Sequence, residues 1–212
     1  MSDSFACVDG AALDRATSYR LLSGCVVPRP IAWVTTRSDD GLVNAAPFSA
    51  YSYVSTDPPM VAISIERSPE TGALKDTARN IQANGQFVVN VADESALELL
   101  HGSAASYPAE VSETDVLDLP LIASKHIAVP RLASTAIQME CRLDQSIALG
   151  NGSNTLYIGQ VVAFHLASRV YDGSRVNSAA LRPIARLGGP WYMSLGELHE
   201  RQAAPPPDRP TS

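Results

Sequence analysis

Hydrophobic and polar positions alternate along several stretches of the chain, which indicates β-strands. The clearest case is the stretch 134–149, where the apolar residues Ile137, Met139, Cys141 and Leu143 are separated by polar neighbours. This alternation is typical of an antiparallel strand with one buried face. We predict strands over residues 30–37, 43–54, 60–66, 86–92, 134–149 and 155–168.

Two stretches have a helical period instead. The apolar positions of residues 71–84 recur every three to four residues, so we predict a helix that ends at Gly85. Its candidate N-cap residues are Thr71 and Asp76. A second short helix is predicted over residues 94–104.

Six mostly antiparallel strands with two or three short helices predict a mainly β fold, a small closed barrel with added helices. Only residues 60–91 have a βαβ order, so we do not expect a Rossmann fold. The run GNGSN at 150–154 predicts a hairpin turn. We predict a lead-in with a short helix at 1–18, one barrel domain at 19–200 and a disordered Pro-rich tail at 201–212.

The strand predicted at 43–54 is unusual because it is crowded with small and hydroxyl side chains. These residues, with the one that follows the strand, are Ala45, Ala46, Ser49, Ala50, Ser52 and Ser55. So little bulk would let a flat ligand lie along the strand and bond to its main chain, with Ser49 and Ser52 as further donors. A tight strand crossing or a closely packed helix explains the same composition, so both interpretations stay open at this point.

The start of the first predicted helix is a candidate phosphate site. A helix N-terminus presents unpaired N–H groups and a partial positive charge. Lys75 adds a full charge there, Thr77 adds a hydroxyl beside Asp76, and Arg29 is a further candidate. A solvated lysine is the alternative interpretation, but the hydroxyl side chains within 68–71 favour an anion site.

Composition narrows the class of protein. The chain has 212 residues, 45% of them apolar, which suffices for one domain with a core. A net charge of −6 argues against binding to nucleic acids or anionic membranes. We find no membrane-spanning run and no secretory signal, and three scattered cysteines suit a reducing compartment, so we expect a cytoplasmic protein.

The sequence has no recognisable catalytic motif. Its four histidines lie far apart without metal-ligand spacing, so no metal site is expected. No nucleophile has an evident base partner, and catalytic residues stay unassigned. In an enzyme of this kind, a bound cofactor would carry the difficult chemistry.

Several motifs in a fixed order resemble the flavin reductase-like FMN-binding split-barrel family, with the flavoredoxin-like branch as the nearest match. They are RPIAWVTT at 29–36, NAAPFSAYSYVSTDPP at 44–59, KDTARNI at 75–81 and LRPIARLGGPWYMSLGE at 181–197. The resemblance runs from about residue 19 to residue 197. It implies a six-stranded antiparallel Greek-key barrel and a homodimer with FMN near the interface.

The resemblance also implies which residues contact FMN. Those along the ring and ribityl chain would be Trp33, Thr35, Asn44, Ala45, Ala46, Ser49, Ala50 and Ser52. Those at the phosphate would be Lys75, Asp76 and Thr77, with Arg29 as a further candidate. A C-terminal signature would close over the site with Arg186, Gly188, Gly189 and Tyr192.

The implied function is an NAD(P)H-dependent flavin oxidoreductase. NADH or NADPH would give a hydride to the flavin, and the electrons would pass to free flavin, a partner monooxygenase or another acceptor. One alternative is tightly bound prosthetic FMN, in an electron carrier or an enzyme that reduces a small organic substrate or a ferric chelate. Another is a non-catalytic flavin-binding dimer, and fold analogy does not choose among them.

Overall fold

The computed structural model describes residues 4–201, so the predicted tail lies outside the described residues except for Arg201. The strands are β1 (Arg29–Pro30), β2 (Ala32–Arg37), β3 (Val43–Phe48), β4 (Tyr51–Thr56), β5 (Pro59–Glu66), β6 (Gln86–Val91), β7 (Leu121–Ile122), β8 (Arg131–Leu132), β9 (Ile137–Leu149), β10 (Asn154–Leu166), β11 (Ala185–Arg186) and β12 (Tyr192–Met193). The helices are α1 (Arg15–Cys25), α2 (Asp76–Asn84), α3 (Leu97–Gly102), α4 (Glu113–Val116) and α5 (Ser178–Leu181), with 3-10 turns at Gly10–Ala12 and Glu94–Ala96. No helix within residues 4–201 is both long and apolar enough to cross a membrane.

Seven antiparallel strands form the main sheet, in the order β3-β2-β6-β9-β10-β5-β4. The two edge strands, β3 and β4, follow each other in the chain and are joined by a bend at Ser49 and Ala50. Ala50 O accepts a hydrogen bond from Ser64 N at 2.8 Å, so the bend is fixed to β5 and the sheet curls until its edges meet. This confirms the predicted antiparallel barrel. The count of six strands becomes seven, because the stretch predicted as one strand at 43–54 breaks at the bend.

Two smaller sheets accompany the barrel. β1, β11 and β12 form one, and β7 and β8 form the other. The first brings the C-terminal signature beside β1, because Arg29 pairs with Arg186. The second lies in the stretch 105–134, which also contains α4.

The helix predicted over 71–84 begins five residues later than expected, at Asp76. Lys75 is its N-cap and makes no side-chain cap bond. Thr71 instead accepts a hydrogen bond from Ala73 N in the preceding loop. The helix ends at Gly85 as predicted, with φ of 68°, a left-handed conformation that glycine adopts without strain.

Two other helices have bounds that the periodicity did not predict. We predicted a lead-in that ends at residue 18, but α1 continues past that residue to Cys25. Its start is fixed by the Asp14 carboxylate, which accepts a hydrogen bond from Thr17 N at 2.6 Å. The helix predicted over 94–104 is a 3-10 turn followed by α3.

Hydrophobic clusters pack on both faces of β2. Ala32 and Val34 point into the barrel, whereas Trp33 points outward into a cluster that holds α3 against the sheet. The barrel interior is close-packed: a Cβ atom on Gly159 would lie 2.4 Å from Phe87 Cζ. Glycine is therefore required where β10 passes this ring.

Candidate functional site

The structure divides the residues predicted to contact flavin into two groups. The buried group is Trp33, Thr35, Asn44, Ala45 and Thr77. The exposed or half-buried group is Arg29, Ala46, Ser49, Ala50, Ser52, Lys75 and Asp76. Only the second group presents side chains at the surface of this chain, and contact of any of these residues with flavin stays a prediction.

The small residues of β3 and β4 have different surroundings. Ala45 is fully buried in the cluster that contains Trp33, and Ala46 packs against the barrel core. In β3 small size therefore serves close internal packing. Ala50 and Ser52 are exposed, at the bend and on the edge strand β4. The interpretation that small side chains leave room for a flat ligand therefore concerns the bend and β4.

The start of α2 has unpaired hydrogen-bond donors. The first backbone bond of the helix runs from Arg79 N to Lys75 O at 3.0 Å, so the N–H groups of residues 76–78 have no partner in the helix. Lys75 is exposed beside them. Asp76 forms an ion pair with Arg79. The lysine and the three N–H groups are the donors that suit a phosphate.

A buried polar network joins α2 to β3. Thr77 Oγ1 donates to Asn44 Oδ1 at 2.8 Å, and Thr36 Oγ1 donates to the same oxygen at 3.3 Å. Asn44 Nδ2 donates to both carboxylate oxygens of Glu113, at 2.8 and 2.9 Å. Ala45 N donates to Glu113 Oε2 at 3.1 Å. The hydroxyl of Thr77 is thus directed at Asn44, so only its N–H group is left for a phosphate.

Glu113 is a candidate site residue that the sequence does not single out. It is 5% exposed, although it lies in the acidic stretch 110–118, whose composition is typical of a surface loop. Burial raises the pKa of Glu113, the hydrogen bonds from Ala45 and Asn44 offset part of that rise, and the Asp76 carboxylate adds to it. The one sequence signal for its helix is Ser112, whose hydroxyl caps α4 and donates to a main-chain oxygen of β3.

Arg29 joins the bend to α1 and to the C-terminal signature. Its Nε donates to Ser49 Oγ at 3.3 Å, and its Nη2 donates to Leu187 O at 3.0 Å. Its Nη1 donates to Ser23 O and to Val26 O at the end of α1. These are all the hydrogen bonds of its side chain within residues 4–201, and none is to α2. Arg29 therefore organises the surroundings of the bend.

A second buried carboxylate, Glu140, anchors the loop before β8. It accepts hydrogen bonds from Lys125 N and His126 N, both at 2.7 Å, and its Oε1 lies 2.6 Å from His165 Nε2. Burial alone would raise the pKa of Glu140, but these hydrogen bonds lower it below its ordinary value. The part of the chain that the structure describes has no group of three or more His, Cys, Asp and Glu side chains that could hold a metal ion.

Known proteins resemble this chain in sequence and fold. The pattern of the flavin reductase like domain matches residues 23–180. The uncharacterized protein YwrF of Bacillus subtilis is 45% identical, over 87% of this chain and 92% of its own length. Nitrilotriacetate monooxygenase component B from Bacillus cereus is 37% identical with a TM-score of 0.90, covering 94% of this chain and 100% of its own. The 2-nitrobenzoate 2-nitroreductase NbaA of Pseudomonas fluorescens is 33% identical with a TM-score of 0.84, covering 94% and 96%.

Proposed function

Because the chain belongs to the flavin reductase like domain family, we propose that it is an FMN-dependent oxidoreductase that takes a hydride from NADH or NADPH and passes the electrons to free flavin, a partner monooxygenase or another acceptor. Membership confirms the resemblance seen in the sequence motifs. The structural observation that carries the proposal is the uncapped start of α2. The buried Thr77–Asn44 hydrogen bond joins this helix start to β3, the strand that precedes the bend at Ser49.

The described residues fit FMN. Lys75 and the N–H groups of residues 76–78 would hold the phosphate, and the exposed side chains of Ala50 and Ser52 would lie along the ring. Trp33 and Ala45 are buried in one cluster and would support β3, the strand that leads to this surface. FMN, when bound, supplies the redox chemistry. The chain itself would bind the cofactor, orient it and shield it from water, so no protein nucleophile or general base is needed.

Two similar proteins support different electron acceptors. One is component B of a monooxygenase, which favours delivery of electrons to a partner monooxygenase. The other is a nitroreductase, which favours the alternative in which tightly held FMN serves the reduction of a small organic substrate. A non-catalytic flavin-binding dimer is the third candidate.

Oxidation of NADH and NADPH with varied free FMN should distinguish these functions. For a diffusible-flavin reductase, we expect the rate to saturate with added FMN and the yellow colour to be lost on dialysis. For prosthetic FMN, we expect a protein that stays yellow and a rate independent of added FMN. Bound FMN that neither nicotinamide reduces would contradict the oxidoreductase proposal and support the third candidate.

We also propose a homodimer whose interface adjoins the FMN site. Leu22 on α1 is 65% exposed, and Tyr53 and Val54 on β4 are 74% and 51% exposed. Arg29 ties the end of α1 to the bend before β4, so the two elements that carry these side chains are neighbours. An apolar face beside an edge strand is typical of an association surface.

Leu22→Asp should convert the dimer to a monomer in analytical ultracentrifugation, because it places a charge in the proposed apolar interface. FMN affinity should fall at the same time, since the bend adjoins that interface. Val116→Asp is the matched control, on α4 and 55% exposed, and should change neither property. A wild-type monomer with full FMN affinity would refute the interface site.

A further inference from the structure

The small sheet β1-β11-β12 places three side chains in one row. Arg29 lies opposite Arg186, and Arg186 lies opposite Tyr192. Directly opposed residues of antiparallel strands point to the same face. The Tyr192 hydroxyl is 3.1 Å from His101 Nδ1, which extends the row onto α3. We call Arg29, Arg186, Tyr192 and His101 the basic row.

The charge of Arg186 has no acidic partner in the part of the chain that the structure describes. Within residues 4–201 it forms no ion pair, and its only side-chain hydrogen bond is from Nη2 to Gly189 O at 2.8 Å. Its Cζ lies 4.4 Å from the centroid of the Tyr192 ring, a cation–π contact that fixes the guanidinium. The Nε and Nη1 donors are left for a ligand, and a guanidinium held in this way suits carboxylate or phosphate oxygens.

The turn that carries the row is tightly packed. A Cβ atom on Gly188 would lie 3.1 Å from Gly24 Cα, so the turn rests directly on α1. Leu187 N donates to Trp191 O at 3.0 Å and closes it. Trp191, directly before the tyrosine of the row, is 69% exposed. One preorganised turn therefore connects a fixed cation and an exposed indole.

We propose that the basic row and Trp191 bind the anionic end of the second substrate, the molecule that approaches the flavin ring from solution. This inference rests on the proposed function, because it places the basic row beside the predicted site of the flavin ring. The Arg29–Ser49 hydrogen bond joins the row to that site. The recognised chemistry is an anionic oxygen group next to a planar ring. Its source is either the diphosphate of a nicotinamide dinucleotide or the carboxylate of an aromatic acceptor.

Calorimetric titration of ADP-ribose and of benzoate into the FMN-loaded protein separates these sources. In Arg186→Gln, we expect the dissociation constant of one probe to rise roughly tenfold to a hundredfold, as for loss of a charge-assisted bond. A loss confined to ADP-ribose identifies the diphosphate, and a loss confined to benzoate identifies the carboxylate. Arg175→Gln is the matched control, since Arg175 is exposed and its side chain makes no hydrogen bond within the described residues.

Unchanged affinity for both probes in Arg186→Gln, or a wild-type protein that binds neither, would overturn the proposal. His101→Gln, at an exposed position, replaces the arginine variant if that variant does not fold, and should weaken the same probe. The neutral hydride donor 1-benzyl-1,4-dihydronicotinamide has no anionic group for the row. It should reduce the FMN-loaded wild-type protein, whereas its failure to do so would count against the proposed function and leave the binding result standing.

Discussion

Replacing Lys75 with alanine and Thr77 with valine together should weaken FMN binding by roughly 2–4 kcal/mol. Lys75 is exposed and its side chain makes no hydrogen bond within the described residues, so its loss removes charge from the phosphate site without disturbing the fold. Thr77 is 1% exposed and its hydroxyl holds Asn44, so its loss loosens the link between α2 and β3. Calorimetric titration of FMN into the apoprotein measures the change.

The single variants separate the two contributions. Lys75→Ala should lower FMN affinity and leave stability unchanged. Thr77→Val should lower FMN affinity and also lower the free energy of unfolding by about 1–3 kcal/mol, because the buried oxygen of Asn44 loses one of its donors. Lys125→Ala, at the only other lysine of the chain, should change neither. Full FMN affinity in the double variant would mean that the phosphate binds elsewhere.

The barrel strands could be predicted because their patterns are local. The alternation through Ile137 and Cys141 corresponds to β9, and the turn at 150–154 corresponds to the connection between β9 and β10. The break at Ser49 could not be predicted in this way. Small and large side chains are interspersed on both sides of it without a regular period, and the bend is set by closure of the sheet, which depends on distant strands.

The two halves of the small-residue segment could not be told apart for the same reason. Ala45 and Ala50 are the same residue type, but Ala45 is buried in the cluster that contains the outward-facing Trp33, whereas Ala50 is exposed. The role of Glu113 could not be predicted from the sequence for another reason. It meets Asn44 across 69 residues of sequence, and no local pattern marks a carboxylate that turns inward.

Glu113→Ala should lower the free energy of unfolding by roughly 2–6 kcal/mol, measured by urea denaturation at neutral pH. The variant leaves Asn44 Nδ2 and Ala45 N buried without an acceptor, and each such group costs about 1–3 kcal/mol. FMN affinity should fall as well, because Asn44 is the partner of Thr77. Glu110→Ala, an exposed acid in the same stretch, should leave both quantities unchanged.

Glu113→Gln keeps the volume and one acceptor oxygen but cannot ionise, so its pH dependence tests the charge. Burial raises the pKa of Glu113 above its ordinary 4.5. The stability that this carboxyl contributes is therefore complete below that pH and is lost as pH rises through the raised pKa. The deficit of Glu113→Gln relative to wild type should accordingly shrink as pH rises from 4.5 towards 7. A deficit that grows instead would show that the hydrogen bonds from Asn44 and Ala45 outweigh burial, and that the network depends on a charged carboxylate.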